Sequence, residues 1–558
     1  MKKVMVTLGI LVLLVSTFFG ARYARNETLY VGGGLWEPPS NWNPFLPWGS
    51  VSGTIGLVYE TLFNYDPITG QMEPWLVKDG KWVDKNTYEI TLRDNLKWSD
   101  GKKFTTQDVK FTFELGKKYE DVYYHNLWES LDRIELGSNN KVRFIFKEPS
   151  YHSWEVNLYS IPILPEHIWK NKSKNEIIEG ANEYPVGSGM YKVEGWSQDR
   201  CIFVRNDDWW GNEVFGKPVP KRVIEIVISS NNVALGMLLQ GTLDWSNFFL
   251  PGIPRLAKIY ENIKTWYKES PYMLSSSTAY LFMNTKKPPM DNAQFRKAVA
   301  YAIDKQNIVN KVYENQVIAA DSLGFLPTPA WKKYEDKKVL EKYGFNYSPA
   351  TAKKLLDEAG YVDRNGDGWR DLPDGSTIDL LIVVPYGWTD WMESVKSIAE
   401  DLRKVGIKAE AKFPDQGKYE EDMSTGNFDM LINDYGSTSS VSPWTLLNFV
   451  ANPLIMDEMW DGNFGRYENE KLFSLIKEIN KTPFSEEAKL KELFSEAEKI
   501  LLKEMPAIPV WHNGLWFQAS TYAWENWPDE NNPYGYPCSW PGQWQFGAVK
   551  ILLNLKAK

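Results

Sequence analysis

The sequence predicts a mixed α/β (α+β) chain with more than one domain, and three observations carry that prediction. Strand-like and helix-like patterns interleave along the chain and do not segregate into blocks. The helical stretches open on capping residues and stop at glycine or proline. The length of 558 residues exceeds what one hydrophobic core holds, at roughly 100–200 residues per domain.

In chain order, Lys2 and Lys3 precede an apolar run from Val4 to Phe19, with Gly20 and Ala21 behind it. These are the charged, apolar and small-residue parts of a secretory signal, expected over residues 1–20. Phe18 and Phe19 fit its exit poorly, so retention as an anchor stands as the alternative. The first cysteine is Cys201, so the lipid-modified cysteine of an exported lipoprotein is not expected. A soluble protein in a periplasm-like space follows, where Cys201 and Cys538 form one disulfide or stay as two buried thiols.

Tyr88 to Leu92 and Val142 to Phe146 alternate as strands, and Val223 to Ile228 is β-branched. Thr106-Gln107-Asp108 opens a helix to about Lys118. Asp291 to Tyr301 places Phe295, Ala298, Val299 and Ala302 on one helical face. Trp391 to Val405 is a helix stopped by Gly406, and Glu486 to Lys503 one stopped by Pro506. Pro- and Gly-rich stretches near 32–48, 251–254, 285–290 and 526–547 serve as links.

Composition excludes several classes. The formal charge of −9 with no basic tract argues against nucleic acid and against an anionic membrane surface. Two cysteines exclude a four-cysteine zinc or iron–sulfur site, and four histidines lack ligand spacing. The unusual count is 26 tryptophans, beside 29 tyrosines and 26 phenylalanines, and this excess needs a reason.

A series of motifs runs along about 450 residues in one order. Tyr88-Glu89-Ile90-Thr91-Leu92-Arg93 leads to Leu96-Lys97-Trp98-Ser99-Asp100-Gly101 and Phe104-Thr105-Thr106-Gln107-Asp108-Val109. Val186-Gly187-Ser188-Gly189-Met190-Tyr191, Arg205-Asn206-Asp207-Asp208-Trp209-Trp210-Gly211 and Gly241-Thr242-Leu243-Asp244 follow. Phe295-Arg296-Lys297-Ala298, Leu402-Arg403-Lys404-Val405-Gly406-Ile407, Gly426-Asn427-Phe428-Asp429 and Met505-Pro506-Ala507-Ile508-Pro509 complete it. The series resembles the family 5 extracellular solute-binding proteins, the oligopeptide- and dipeptide-binding class of ABC importers.

That resemblance implies a two-lobe periplasmic-binding-protein fold (class II, family 5 type) with an inserted subdomain. Lobe I would take residues 26–56, 184–283 and 510–558, the inserted subdomain 57–183, and lobe II 284–509. The two crossing strands would fall near Ala279 to Thr285 and Ile508 to Asn513. It further implies a monomeric periplasmic receptor that encloses its ligand by hinge closure and delivers it to membrane permease subunits. Trp98, Trp154, Trp169, Trp209 and Trp210 are expected to be packing residues.

Peptide-binding members pair a carboxylate with the ligand's amino terminus, about ten residues after the Gly-x-Phe-Asp strand. Here Ser437 to Ser440 takes that place, and no Asp or Glu occurs from Tyr435 through Met456. A buried ammonium without a counter-charge costs several kcal/mol, so the peptide reading weakens, although Asp434 stands nearby. A neutral β-linked oligosaccharide of the cellobiose or mannobiose type suits the chain better. Indole rings cover the flat C–H faces of a sugar, and the indole N–H bonds a hydroxyl. Thermophilic members of the family bind oligosaccharides, and the tryptophan excess is similar to theirs. The stacking and hydroxyl-binding candidates are Trp36, Trp245, Asn247, Trp388, Trp391, Tyr435, Trp511, Asn513 and Trp516.

Two further readings stand beside this one. Asp363, Asn365, Asp367 and Asp374 are spaced as in a calcium loop, with Asp at the place of the usual final Glu, against a plain polar turn. A secreted glycoside hydrolase would also be rich in tryptophan, but no local motif singles out its carboxylate pair.

Overall fold

A computed structural model describes residues 23–46, 49–435, 440–453 and 462–558. The expected signal segment and Ser437 to Ser439 lie outside the described residues.

Two large sheets organise the chain. The first holds seven strands in the order Ile263–Thr265, Gln518–Ser520, Trp245–Ser246, Thr28–Gly32, Arg222–Ile226, Arg200–Arg205 and Tyr191–Ser197. Its central strand, Thr28–Gly32, runs parallel to both neighbours and is buried on one face through Leu29 and Val31 and on the other through Thr28. The second sheet holds six strands in the order Ile318–Ala319, Ala507–Leu515, Leu274–Met283, Met430–Tyr435, Leu380–Val383 and Ala409–Lys412.

The expected crossing strands both lie within the second sheet, as neighbours. Leu274–Met283 and Ala507–Leu515 pair antiparallel in the second sheet, with register shifts at Ser275/Ser277 and Ala279/Tyr280. The chain reaches them from the first sheet between Thr265 and Leu274, and returns to it between Leu515 and Gln518. The passages between lobes therefore sit just outside the paired strands. This arrangement joins the halves by two short connections and leaves each sheet intact.

A four-stranded antiparallel sheet lies within residues 77–146, in the order Val77–Asp84, Thr87–Leu92, Lys141–Phe146 and Leu131–Leu136. The helix Thr106–Lys118 buries Val109 and Phe113. Its start is a capping box: the Thr105 hydroxyl accepts from the Gln107 N–H, and the Asp108 carboxylate accepts from the Thr105 N–H at 2.7 Å. Such a cap is worth about 1 kcal/mol. The other helices also form near their expected bounds, as Ala293–Ala302, Thr389–Lys404 and Glu487–Glu504. Gly406 ends the second of these at φ 87°, and the third ends on Met505 at φ 48°, before Pro506.

Cys201 and Cys538 are free buried thiols, and Cys538 Sγ lies 3.4 Å from Gln543 Oε1. Trp98, Trp154, Trp169, Trp209 and Trp210 are all buried. Part of the tryptophan excess has one cause: Trp75, Trp209 and Trp210 each donate an indole N–H to the buried carboxylate of Glu60, at 2.9, 2.9 and 2.8 Å. Burial pushes the Glu60 carboxyl up to about 7, and the three indole bonds oppose that rise.

Candidate functional site

Register decides which side chains meet. Ala279 pairs with Trp511 on one side and with Asp434 on the other, so these three share one face of the second sheet. Ser277 pairs with Asn513 one step further along the same face. Trp511 at the centre of this row is fully buried.

Aromatic rings extend the row in both directions. Trp511 lies 5.2 Å from Tyr313 and 5.0 Å from Trp391, centroid to centroid. Trp391 meets Trp388 at 5.4 Å, at the start of the helix Thr389–Lys404. Tyr313 stacks on Trp516 at 6.2 Å and 15°, and Trp516 meets Phe249 at 5.0 Å. The array runs from Phe249, beside the first sheet, past the strand Ala507–Leu515 to Trp388 in lobe II. It therefore draws on both halves of the molecule.

Polar groups punctuate this buried apolar array. Among the described residues Trp511 Nε1 and Asn513 Oδ1 are buried and have no hydrogen-bond partner, as is also true of Trp245 Nε1 in the first core. Leaving such atoms unpaired costs about 1–3 kcal/mol each, which a ligand or water restores. Asp434 accepts from Ser277 Oγ at 2.5 Å, and burial raises its carboxyl above the usual range. Burial pushes Asp390, between Trp388 and Trp391 in sequence, up to about 6. Among the described residues neither carboxylate has a Lys or Arg partner. Flat rings, one indole donor, an amide oxygen and two carboxylate acceptors suit a ligand with apolar faces and a rim of hydroxyls.

Of the sequence candidates, the fold gathers Trp388, Trp391, Trp511, Asn513 and Trp516 at this site and places four elsewhere. Trp245 is fully buried among Phe517, Trp527 and Trp544, because its strand sits inside the first sheet. Asn247 spends its carboxamide on the backbone: it donates to the carbonyls of Trp516 and Pro537 and accepts from Ser539 N and Oγ. Its contribution is to fix the chain at Trp516. Trp36 is 57% exposed and touches Phe248 edge-on at 4.7 Å. Tyr435 leaves the opposite face of its strand from Asp434 and stacks on Phe449 at 3.8 Å.

Sequence reasoning missed Tyr313 and Phe249, which stand in no motif. It also passed over Asp390, whose place between two candidate tryptophans was an available signal.

The 363–374 loop satisfies itself. Asp363 accepts from the N–H groups of Gly366 and Gly368 at 2.7 and 2.9 Å, Asp367 from Trp369 N–H, and Asp374 from Ser376 N–H. Among the described residues no group of three or more His, Cys, Asp or Glu is placed to hold a metal ion.

Two lobes joined by two short connections, with an aromatic array reaching between them, define a two-lobe solute-binding protein. Residues 71–454 match the model for bacterial extracellular solute-binding proteins, family 5, and the chain belongs to that family. It is 49% identical to the periplasmic oligopeptide-binding protein of an oligopeptide ABC transporter from Thermotoga maritima, over 96% of this chain and 100% of that one, with a TM-score of 0.94. A mannohexaose-bound structure of that protein matches with a TM-score of 0.89. Oligopeptide-binding protein OppA of Bacillus subtilis is 25% identical over 86% of this chain and 87% of its own length. AppA of the same organism is 27% identical over 65% of this chain, and the match spans 63% of AppA. Among the described residues no helix is long and apolar enough to cross a membrane.

Proposed function

We propose that this protein is the periplasmic receptor of an ABC importer and captures a neutral β-linked oligosaccharide of the cellobiose or mannobiose type. The observation that carries this reading is the Phe249–Trp516–Tyr313–Trp511–Trp391–Trp388 array, with unpartnered polar atoms on Trp511 and Asn513. The mannohexaose bound to the Thermotoga maritima protein supports the same ligand class.

Closure follows from the division of the array between the halves. A sugar bound to one half alone finds only part of its contacts. Bridging both favours the closed form, because affinity for that form is higher. The closed shape then presents itself to the permease.

One observation favours a second reading, a peptide receptor. Asp434 is a buried carboxylate on the array face with no cation beside it among the described residues, and a peptide's ammonium group would pair with it. A thermal-shift and calorimetric screen of mannobiose, cellobiose and mannohexaose against short peptides separates the two. A ligand at about 100 times its Kd adds about 2.7 kcal/mol of stability. Stabilisation by the sugars alone supports the carbohydrate receptor, and stabilisation by peptides alone overturns it.

A further inference from the structure

Two cores meet at the helix Tyr151–Ser160. The helix buries Trp154, Leu158 and Tyr159 in the core that also holds Leu29 and Val31 of the first sheet. Against it stand the helices Trp444–Ala451 and Glu470–Lys481, which bury Leu447, Leu472 and Ile476 in a core of their own. The chain passes between the two large sheets at 265–274 and 515–518, so among the described residues no covalent link crosses this interface. Its contacts are free to form and break as the halves move.

Polar contacts cross it. Ser150 stands at the N-cap of Tyr151–Ser160, but its side chain makes no cap bond. The cap comes from the opposite half: Ser153 N–H donates to Asn480 Oδ1 at 2.9 Å, and Asn480 Nδ2 donates to Ser150 Oγ at 3.2 Å. One carboxamide thus satisfies an N–H group that the helix start leaves without an intrahelical partner. Beside it, His152 is 1% exposed, its Nδ1 lies 2.7 Å from Ser442 Oγ, and its ring packs on Phe484 at 4.2 Å. The Lys481–Glu148 ion pair, at 2.6 Å, joins these contacts at the surface, where such a pair contributes little. Separating the halves uncaps the helix and takes the partner of His152 away.

We propose that Asn480 and Ser442 on one half, with Ser153 and His152 on the other, form a clasp that holds the receptor closed without touching its ligand. The inference rests on the hinge closure described above and goes beyond it, because it assigns part of the ligand affinity to positioning residues outside the aromatic array. Ligand meets the open form, and closure follows. Bonds made only in the closed form slow dissociation and leave the encounter unchanged. Their effect is the same for every ligand that the closed form encloses.

The test is stopped-flow tryptophan fluorescence and calorimetry with mannobiose and mannohexaose, on the full chain and on Asn480→Ala, Asn480→Asp and Ser442→Ala. Asn480→Ala removes the cap, and Kd should rise about fivefold for both saccharides, all of it in koff. Asn480→Asp keeps an acceptor for Ser153 N–H and should bind within about twofold of wild type. Ser442→Ala removes the partner of His152, should raise Kd about three- to fivefold, and carries the test if Asn480→Ala fails to fold. A purely structural role would lower the melting temperature and leave koff unchanged, and that result overturns the clasp. A loss confined to one saccharide, or one that falls on kon, overturns it as well, because the residue then acts on the ligand or on the encounter. If the sugars fail and a short peptide binds, the carbohydrate reading falls, and the same comparison made with that peptide decides the clasp. If nothing binds, the receptor reading fails and takes the clasp with it.

Discussion

Trp391 and Trp511 meet edge to face, with ring centroids 5.0 Å apart and planes at 72°. One lies in the first turn of the helix Thr389–Lys404 and the other in the strand Ala507–Leu515. The contact ties the position of that helix to the strand Ala507–Leu515, which leads into the second connection between the sheets. A ligand bound against this pair changes the surroundings of both indoles, so tryptophan fluorescence should report binding directly.

Trp511→Phe tests the indole N–H without emptying the core. The ring stays, and the unpartnered Nε1 goes. Sugar affinity should fall by about five- to tenfold, the worth of one hydrogen bond of about 1 kcal/mol or slightly more. Thermal stability should change little by comparison with Trp511→Ala, which removes a fully buried indole at a cost of about 3–5 kcal/mol. Titration calorimetry and a melting curve read the two effects separately. An unchanged Kd in Trp511→Phe would remove the N–H from the site.

Asp434→Asn distinguishes the ligand classes. A hydroxyl can bond an amide almost as well as a carboxylate, so sugar affinity should stay within about tenfold of wild type. An ammonium left facing a neutral amide loses its counter-charge, and peptide affinity should then drop by more than about a hundredfold. Paired titrations with a sugar and a peptide show which loss occurs.

Asp390 should make sugar binding pH-dependent. Burial pushes its carboxyl up to about 6, so it is an ionised acceptor above that pH and gains a proton below it. Affinity for a neutral sugar should fall by about three- to tenfold between pH 7 and pH 5. The stability contribution has the opposite sign: a raised carboxyl favours the fold at low pH, and that benefit is lost as pH rises through about 6. Asp390→Asn should flatten the affinity profile. A profile that keeps its slope in this variant assigns the titration to another group.

The fold was legible in the sequence because its signals are local. Thr105 with Asp108, Gly406 and Pro506 each mark an element boundary within a few residues of themselves, and each boundary forms there. The site was half legible. Trp388, Trp391, Trp511, Asn513 and Trp516 follow turn and strand motifs and converge. Trp245 and Asn247 also follow such a motif, but whether a buried tryptophan faces a cleft or a core depends on partners such as Trp527 and Trp544, far away in sequence. Tyr313 has no motif at all and enters the array only through packing. The Glu60 clamp was hidden for the same reason, since Trp209 and Trp210 reach it across about 150 residues of chain.

That clamp yields a stability prediction independent of ligand. Glu60 Oε1 accepts from Trp75 and Trp209, and Oε2 from Trp210. In Glu60→Gln one oxygen becomes an NH₂, which sets a donor against an indole donor. One bond is lost, at about 1–3 kcal/mol. The wild-type carboxyl is raised from its usual value of 4.5 to about 7 by burial. Its stabilising contribution is therefore full below about pH 4.5 and lost as pH rises through about 7, where ionising a buried acid opposes the fold. Glutamine never ionises. The penalty of the substitution should thus be largest near pH 5 and shrink by pH 8. Urea unfolding of both proteins at the two pH values gives the difference, and a penalty that grows toward pH 8 would show that the three indoles hold Glu60 ionised in the folded state.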